Sequence, residues 1–274
     1  MKKPLIQLTM LIACISTGAT AQNTSTLMGA RATGMGYASA CLFDEWSLFN
    51  NPSGLTKIEK PIAAASYDCP TALPGAHRIA GVLALPTKYG VTGIGVLRFG
   101  DDLYNEHIVS AGFSDAIGTT SIGGKVNYIQ YSAEGFGTKG VVSLTLGGII
   151  ELTHQITIGV HIINLNQPVI AAADKEHLPT VLVAGVGFSL TEKLYVATEI
   201  EQDLEYEALW KGGLEYKPFD KFSFRTGFNL HPDALFLGTG FYTRKLQIHY
   251  AIQHSPVLGL SFQATVGYQL QDRS

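Results

Sequence analysis

Charge is scarce in this chain. Only 15% of its 274 residues are Asp, Glu, Lys or Arg, while 46% are hydrophobic. An ordinary soluble domain carries about 25% charged residues, so the deficit suits a protein whose outer surface meets lipid. A basic surplus is missing too: the net charge is −3, which argues against nucleic acid as a partner. Beyond Ala21 there is no run of about 18 apolar residues, so no helix is expected to cross a membrane. Cysteine is rare, with Cys14, Cys41 and Cys69 only. Cys14 falls in the leader described below, and two thiols are too few for a metal site. Cys41 and Cys69 either form one disulfide in an oxidising compartment or stay apart. His107, His154, His161, His177, His231, His249 and His254 lack ligand spacing such as an i, i+4 pair on a helix, so neither a metal nor a cofactor is expected. Nothing places a nucleophile, a base and an orienting group together, and no enzyme is expected.

What is present begins with an export signal. Lys2 and Lys3 precede an apolar stretch from Leu5 to Ile15, and Ala19-Thr20-Ala21 ends it with a small-x-small cleavage site. Leu11-Ile12-Ala13-Cys14 also fits a lipidation box, the competing reading of the same leader. The expected organisation is a signal peptide over 1–21, a distinct segment over 22–60 and a β-domain over 61–274.

The β-domain is most legible at its end. From Leu258 to Leu270, apolar or aromatic residues alternate with Gly, Ser, Gln and Thr. A period of two is a strand with one greasy face. A soluble sandwich strand is usually about 5–6 residues long, whereas a membrane-crossing strand needs about 9–11. From Pro61 onward the chain divides into fourteen such segments. Short connections such as Pro86-Thr87-Lys88 and Thr191-Glu192 take turns with longer ones, such as Cys69 to His77 and Asn164 to Pro179. That is the pattern of an outer-membrane barrel with short periplasmic turns. The predicted fold is therefore an all-β, antiparallel transmembrane barrel of about fourteen strands. Ile156, Ile158, Val160 and Ile162 are expected to face lipid, as are Leu246, Ile248, Tyr250 and Ile252, and Phe222, Phe224, Phe228 and Leu230. The segments Tyr89–Phe99 and Ala234–Tyr242 do not alternate cleanly and cannot be oriented.

Charged residues recur on expected inward faces: Glu199 and Glu201 on one strand, Lys211 and Glu215 on the next, and Arg225 on a third. With turns near Glu205 and Phe219, Glu199 falls opposite Lys211 and Glu215 near Arg225. Opposite charges on paired strands stabilise a sheet by about 0.2–1 kcal/mol. The network either holds a lumen shut or lines a polar path.

Residues 22–60 read differently. Met28 to Gly36 is Gly-rich but lacks the Gly-Lys-Ser/Thr ending of a phosphate loop. Asp44 to Asn50 reads as a short helix with Asp44 as N-cap, stopped at Asn51-Pro52-Ser53-Gly54. Gly29-Ala30-Arg31-Ala32-x-Gly34-Met35-Gly36, followed by Asp44, Trp46-Ser47 and Asn51-Pro52-Ser53-Gly54-Leu55, resembles the N-terminal signature of FadL-like outer-membrane barrels. The PorV/PorQ branch is the most similar, and the closing strand resembles it as well. The resemblance implies a fourteen-stranded barrel in the bacterial outer membrane with this segment folded into the lumen as a plug. Arg31, Met35, Asp44, Trp46, Asn50 and Asn51 are then the candidate plug or ligand residues. It implies passage or binding of a hydrophobic solute or, alternatively, an accessory role with a secretion-system component in type IX secretion or surface assembly. Two departures stand out. The loops are short beside those of secretion shuttles, and the chain ends Gln271-Asp272-Arg273-Ser274 without a terminal aromatic.

Overall fold

The computed structural model describes residues 26–171, 176–203, 207–230, 232–257 and 259–270. The leader expected over 1–21 and the tail over 271–274 lie outside the described residues. Fourteen antiparallel strands close into a barrel. In chain order they are β1 (Ile62–Pro70), β2 (Arg78–Thr87), β3 (Gly90–Gly100), β4 (Tyr104–Ile117), β5 (Thr120–Ala133), β6 (Gly137–Glu151), β7 (Ile156–Ile163), β10 (Val181–Thr191), β11 (Leu194–Asp203), β12 (Leu209–Phe219), β13 (Phe222–Leu230), β14 (Ala234–Tyr242), β15 (Leu246–Ser255) and β16 (Gly259–Gln269). A two-stranded hairpin, β8 (Val169–Ala171) and β9 (Glu176–His177), sits in the connection between β7 and β10. β1 meets β16 from Ile62↔Gln269 to Pro70↔Ser261, which removes both sheet edges. Closure matters in lipid, where an unpaired backbone group costs several kcal/mol.

The outer face is apolar along the strands. Val96, Val126, Leu146, Val160, Phe224, Leu237 and Val266 are exposed there. Aromatic residues cluster toward the two ends. Tyr89, Phe113, Tyr216, Phe222 and Tyr268 lie toward the short-turn end, and Tyr67, Tyr104, Tyr128 and Trp210 lie toward the other. An apolar band between aromatic girdles is the exterior of an outer-membrane barrel, and the chain is one. Thr226 points outward among apolar neighbours, and its hydroxyl donates to the Phe236 carbonyl at 3.2 Å.

The two strands that resist orientation by sequence have a common cause. In β3, Val91, Gly93, Gly95 and Leu97 face inward while Ile94 and Val96 face lipid, so both faces are apolar or small. A side chain at Gly95 would collide with the ring of Phe49. In β14, Phe236 faces inward and meets Tyr37 edge-on, with ring centroids 5.8 Å apart. Both strands face the N-terminal segment, which replaces the polar lumen that alternation presupposes.

That segment folds inside the barrel as a short helix α1 (Ala30–Gly34) and two 3-10 turns, Glu45–Leu48 and Pro52–Lys57. Two expectations change here. The stretch after Asp44 is a 3-10 turn ending at Leu48, shorter than a helix reaching Asn50. Asn51-Pro52 does not stop a helix but starts one: the Asn51 side chain accepts the Ser53 N–H at 3.2 Å, and Pro52 occupies the first turn. Proline fits there because its missing N–H would have had no helical partner. The external connections at 101–103 and 134–136 are also shorter than expected, because β4 and β6 begin earlier, at Tyr104 and Gly137. Cys41 and Cys69 are separate free thiols.

Candidate functional site

The lumen has two unlike sides. Along β11–β15 it is charged. Glu199 stands opposite Lys211 and Glu215 opposite Arg225. Lys211 Nζ lies 2.8 Å from Glu199 and 2.5 Å from Glu201, and Arg225 Nε donates to Glu215 at 2.7 Å. Lys211, Glu199, Glu215 and Arg225 are all buried, and Glu201 is half-buried.

The N-terminal segment is fastened to this side through the same carboxylates. Arg31 forks onto Glu215, with Nη2 at 2.8 Å and Nε at 3.3 Å, and its Nη1 reaches Asp44 at 3.3 Å. Burial opposes the Arg31 charge, but Glu215 and Asp44 outweigh it and hold the guanidinium protonated well above its usual range. Glu199 Oε2 accepts the backbone N–H groups of Ser39 and Ala40 at 2.8 and 2.7 Å. Each carboxylate thus serves both the wall and the segment: Glu199 meets Lys211, and Glu215 meets Arg225 and, at 3.6 Å, Lys217.

The remaining candidates hold the segment to itself and, through Asn51 and Met35, to the wall. The Asn50 side chain brackets residue 28, accepting the Met28 N–H and donating to the Met28 carbonyl, both at 3.0 Å. Asn51 Nδ2 donates to the Ala40 carbonyl at 2.8 Å. Trp46 stacks on Phe49 with centroids 6.1 Å apart. Met35 is fully buried beside Ala32, Ala38 and Leu42. Side chains at Gly213 and Gly227 would strike residues 35 and 36. Glu45 is buried next to Asp44, and burial together with that neighbouring carboxylate pushes its pKa up to about 7.

Sequence reading missed the Asp68–Arg78 pair and Lys125, whereas the alternation that sends Val160 and Ile162 outward places His161 inward. Asp68 and Arg78 pair across β1 and β2, with Arg78 Nε at 2.7 Å from Asp68 Oδ2, and Arg78 Nη2 donates to the Tyr37 hydroxyl at 3.0 Å. Lys125 in β5 donates to the Phe49 carbonyl at 2.8 Å. His161 is buried with both ring nitrogens unpartnered among the described residues. The inward phase of β5 could have flagged Lys125; the partners of Arg78 are set by the depth at which Tyr37 sits.

Along β1–β6 the lumen mixes polar side chains, among them buried Asp68, Glu106, Ser110, Lys125, Asn127 and Thr145, with an apolar cluster. Leu97, Ile108, Ile129 and Val141 form one buried cluster with Leu178 from the β7–β10 connection. The same cluster runs through Leu48, Phe49 and Leu55 to Val91, Ala84 and Ile62 near the short-turn end. Ile58 and Ile62 border a cavity of about 360 Å³ at that mouth whose other walls are largely polar, with Arg31, Asp44, Glu45, Lys217 and His249. An apolar cluster therefore runs along one side of the barrel with the N-terminal segment packed into it, and the cavity opens beside the charged fastening.

No protein-family model matches the chain, and no curated protein matches it. Solved structures do. CymD, a monoaromatic hydrocarbon channel, is 12% identical with a TM-score of 0.72, over 92% of this chain and 100% of that one. The Ralstonia pickettii toluene transporter TbuX is 12% identical with a TM-score of 0.66, over 89% and 98%. The Pseudomonas putida toluene transporter TodX is 12% identical with a TM-score of 0.65, over 88% and 96%. At that identity the likeness is one of fold, and the fold is FadL-like.

Proposed function

We propose that this chain is a plugged outer-membrane channel that binds and passes a small hydrophobic solute. The carrying observation is the apolar cluster on β1–β6, which runs from Leu97 and Val141 past the N-terminal segment to Ile62. The solved neighbours named as hydrocarbon channels and toluene transporters add support of the same kind. In this reading residues 22–60 are the plug. Arg31, Asp44, Asn50 and Asn51 set its resting shape, while Glu199 and Glu215 hold it to the wall.

The accessory role in secretion needs a broad exterior surface for a large partner. The external connections at 101–103 and 134–136 are short while those at 71–77 and 164–180 are longer, and the fold neighbours named as channels and transporters favour the channel reading. Uptake of radiolabelled toluene by cells that make the protein tests it. Uptake above that of cells lacking the protein, altered by deleting Gln22–Thr56, is the expected result. Equal uptake in all three strains would reject it.

A further inference from the structure

The cavity at the short-turn mouth is ill-suited to an apolar cargo. It measures about 360 Å³, and ligand pockets run from about 300 to 1,000 Å³. The short-turn end of an outer-membrane barrel faces the periplasm. The charges around the cavity are sorted by depth.

The deep part is acidic. The Asp44 side chain is 13% exposed, and Glu45 beside it is 4% exposed. Asp44 Oδ2 meets Arg31, whereas Oδ1 is buried with no hydrogen-bond partner among the described residues. A buried acceptor left without a partner is unfavourable. Glu45 takes no part in the ion pairs of this region. It lies against β16, where a methyl group added to Gly267 would come within 3.3 Å of its Oε1.

The rim is basic. The side chain of Lys217 is 42% exposed and that of Lys57 is 53% exposed, and Lys60 and Glu59 line the same opening. Lys57 is paired with Glu151 at 2.6 Å. Lys217 is held more loosely. It is the third cation on Glu215, at 3.6 Å, after Arg225 at 2.7 Å and Arg31 at 2.8 Å. Its Nζ stands 5.6 Å from the centroid of the Tyr242 ring, which also lines the cavity.

One wall joins the two levels. Asp44, Arg31, Glu215 and Lys217 follow one another in contact. The unmatched acceptor and the loosely held ammonium are thus separated by a guanidinium and a carboxylate in series. An α-amino acid carries both charges on one carbon and is short for that wall, whereas two extended residues span about 7 Å. Acids at the floor disfavour a simple carboxylate, and lysines at the rim disfavour a simple amine. A molecule with both charges, ammonium leading, satisfies each level. Phe43, Ile58 and Ile62 supply an apolar flank for its side chains.

We propose that this cavity is a periplasm-facing site for a short zwitterionic peptide of dipeptide size, with its ammonium at Asp44 and Glu45 and its carboxylate at Lys217. The test is isothermal titration calorimetry on the detergent-solubilised full chain with alanyl-phenylalanine, its N-acetyl derivative and its C-terminal amide. The dipeptide should bind, and each capped form, having lost one charge-assisted contact, should bind at least about ten-fold more weakly. Lys217→Met supplies a second readout, and Arg31 and Arg225 still hold Glu215 in that variant. It should weaken the dipeptide about ten-fold and leave the amide, which has no carboxylate to lose, unchanged. No binding of the dipeptide, equal binding of all three peptides, or a Lys217→Met loss shared equally by dipeptide and amide overturns the site. None of these outcomes bears on toluene uptake, so the channel reading stands or falls separately.

Discussion

Single residues fix the N-terminal segment in the lumen, because its charges are buried and shared. Lys211 neutralises Glu199 and Glu201 at once. Removing one partner of a buried pair strands the other, which typically costs about 3–5 kcal/mol. Lys211→Met should therefore lower the thermal midpoint of the detergent-solubilised barrel markedly, whereas Lys57→Met, on an exposed pair with Glu151, should barely move it. A surface pair is worth about 0–1 kcal/mol. Glu45 gives a pH signature. Its folded pKa of about 7 lies above the ordinary value of 4.5, so the folded state favours the protonated form. Stability is then highest below about pH 4.5, falls as pH rises, and reaches its lower plateau above about 7. Glu45→Gln should flatten the thermal midpoint across that window; an unchanged slope would show that Glu45 does not titrate there.

Among the elements, what was legible in sequence follows from which neighbours are lipid. All fourteen wall strands can be located by turns and alternation, because each has one face against the membrane. Strands such as β13 and β16, whose inner faces are polar, also reveal their orientation. β3 and β14 conceal theirs, since the plug turns their inner faces apolar. The charged cluster on β11–β13 is readable because two-residue periodicity and turn position fix cross-strand neighbours. The Arg31–Glu215 contact is not, as no local rule links positions so far apart in sequence. Asn51-Pro52 misleads for a related reason: the same dipeptide ends one element or starts another, and here the Asn51 side chain decides. Close packing of plug on wall yields a further prediction. Gly227→Ala places a methyl group against Gly36, so it should displace that part of the plug and speed cleavage of residues 26–60 by added protease. The same substitution at Gly81, where a methyl group would meet only ordinary van der Waals contacts, should leave cleavage unchanged.

For the whole molecule, a low-charge chain can do two things at once because the barrel separates its surfaces. Outward residues satisfy lipid and carry little information about function. Inward residues include a charged cluster on β11–β13 that holds the N-terminal segment and an apolar cluster on β1–β6 packed against it. The fold alone does not dictate transport; that apolar cluster is what argues for it. The most direct measurement is a crystal of the protein soaked with bromotoluene, read by anomalous scattering from bromine. The account predicts a peak in the lumen between Leu97, Ile108, Ile129 and Val141. Bromine found only on the lipid-facing exterior, with that cluster empty, would contradict it.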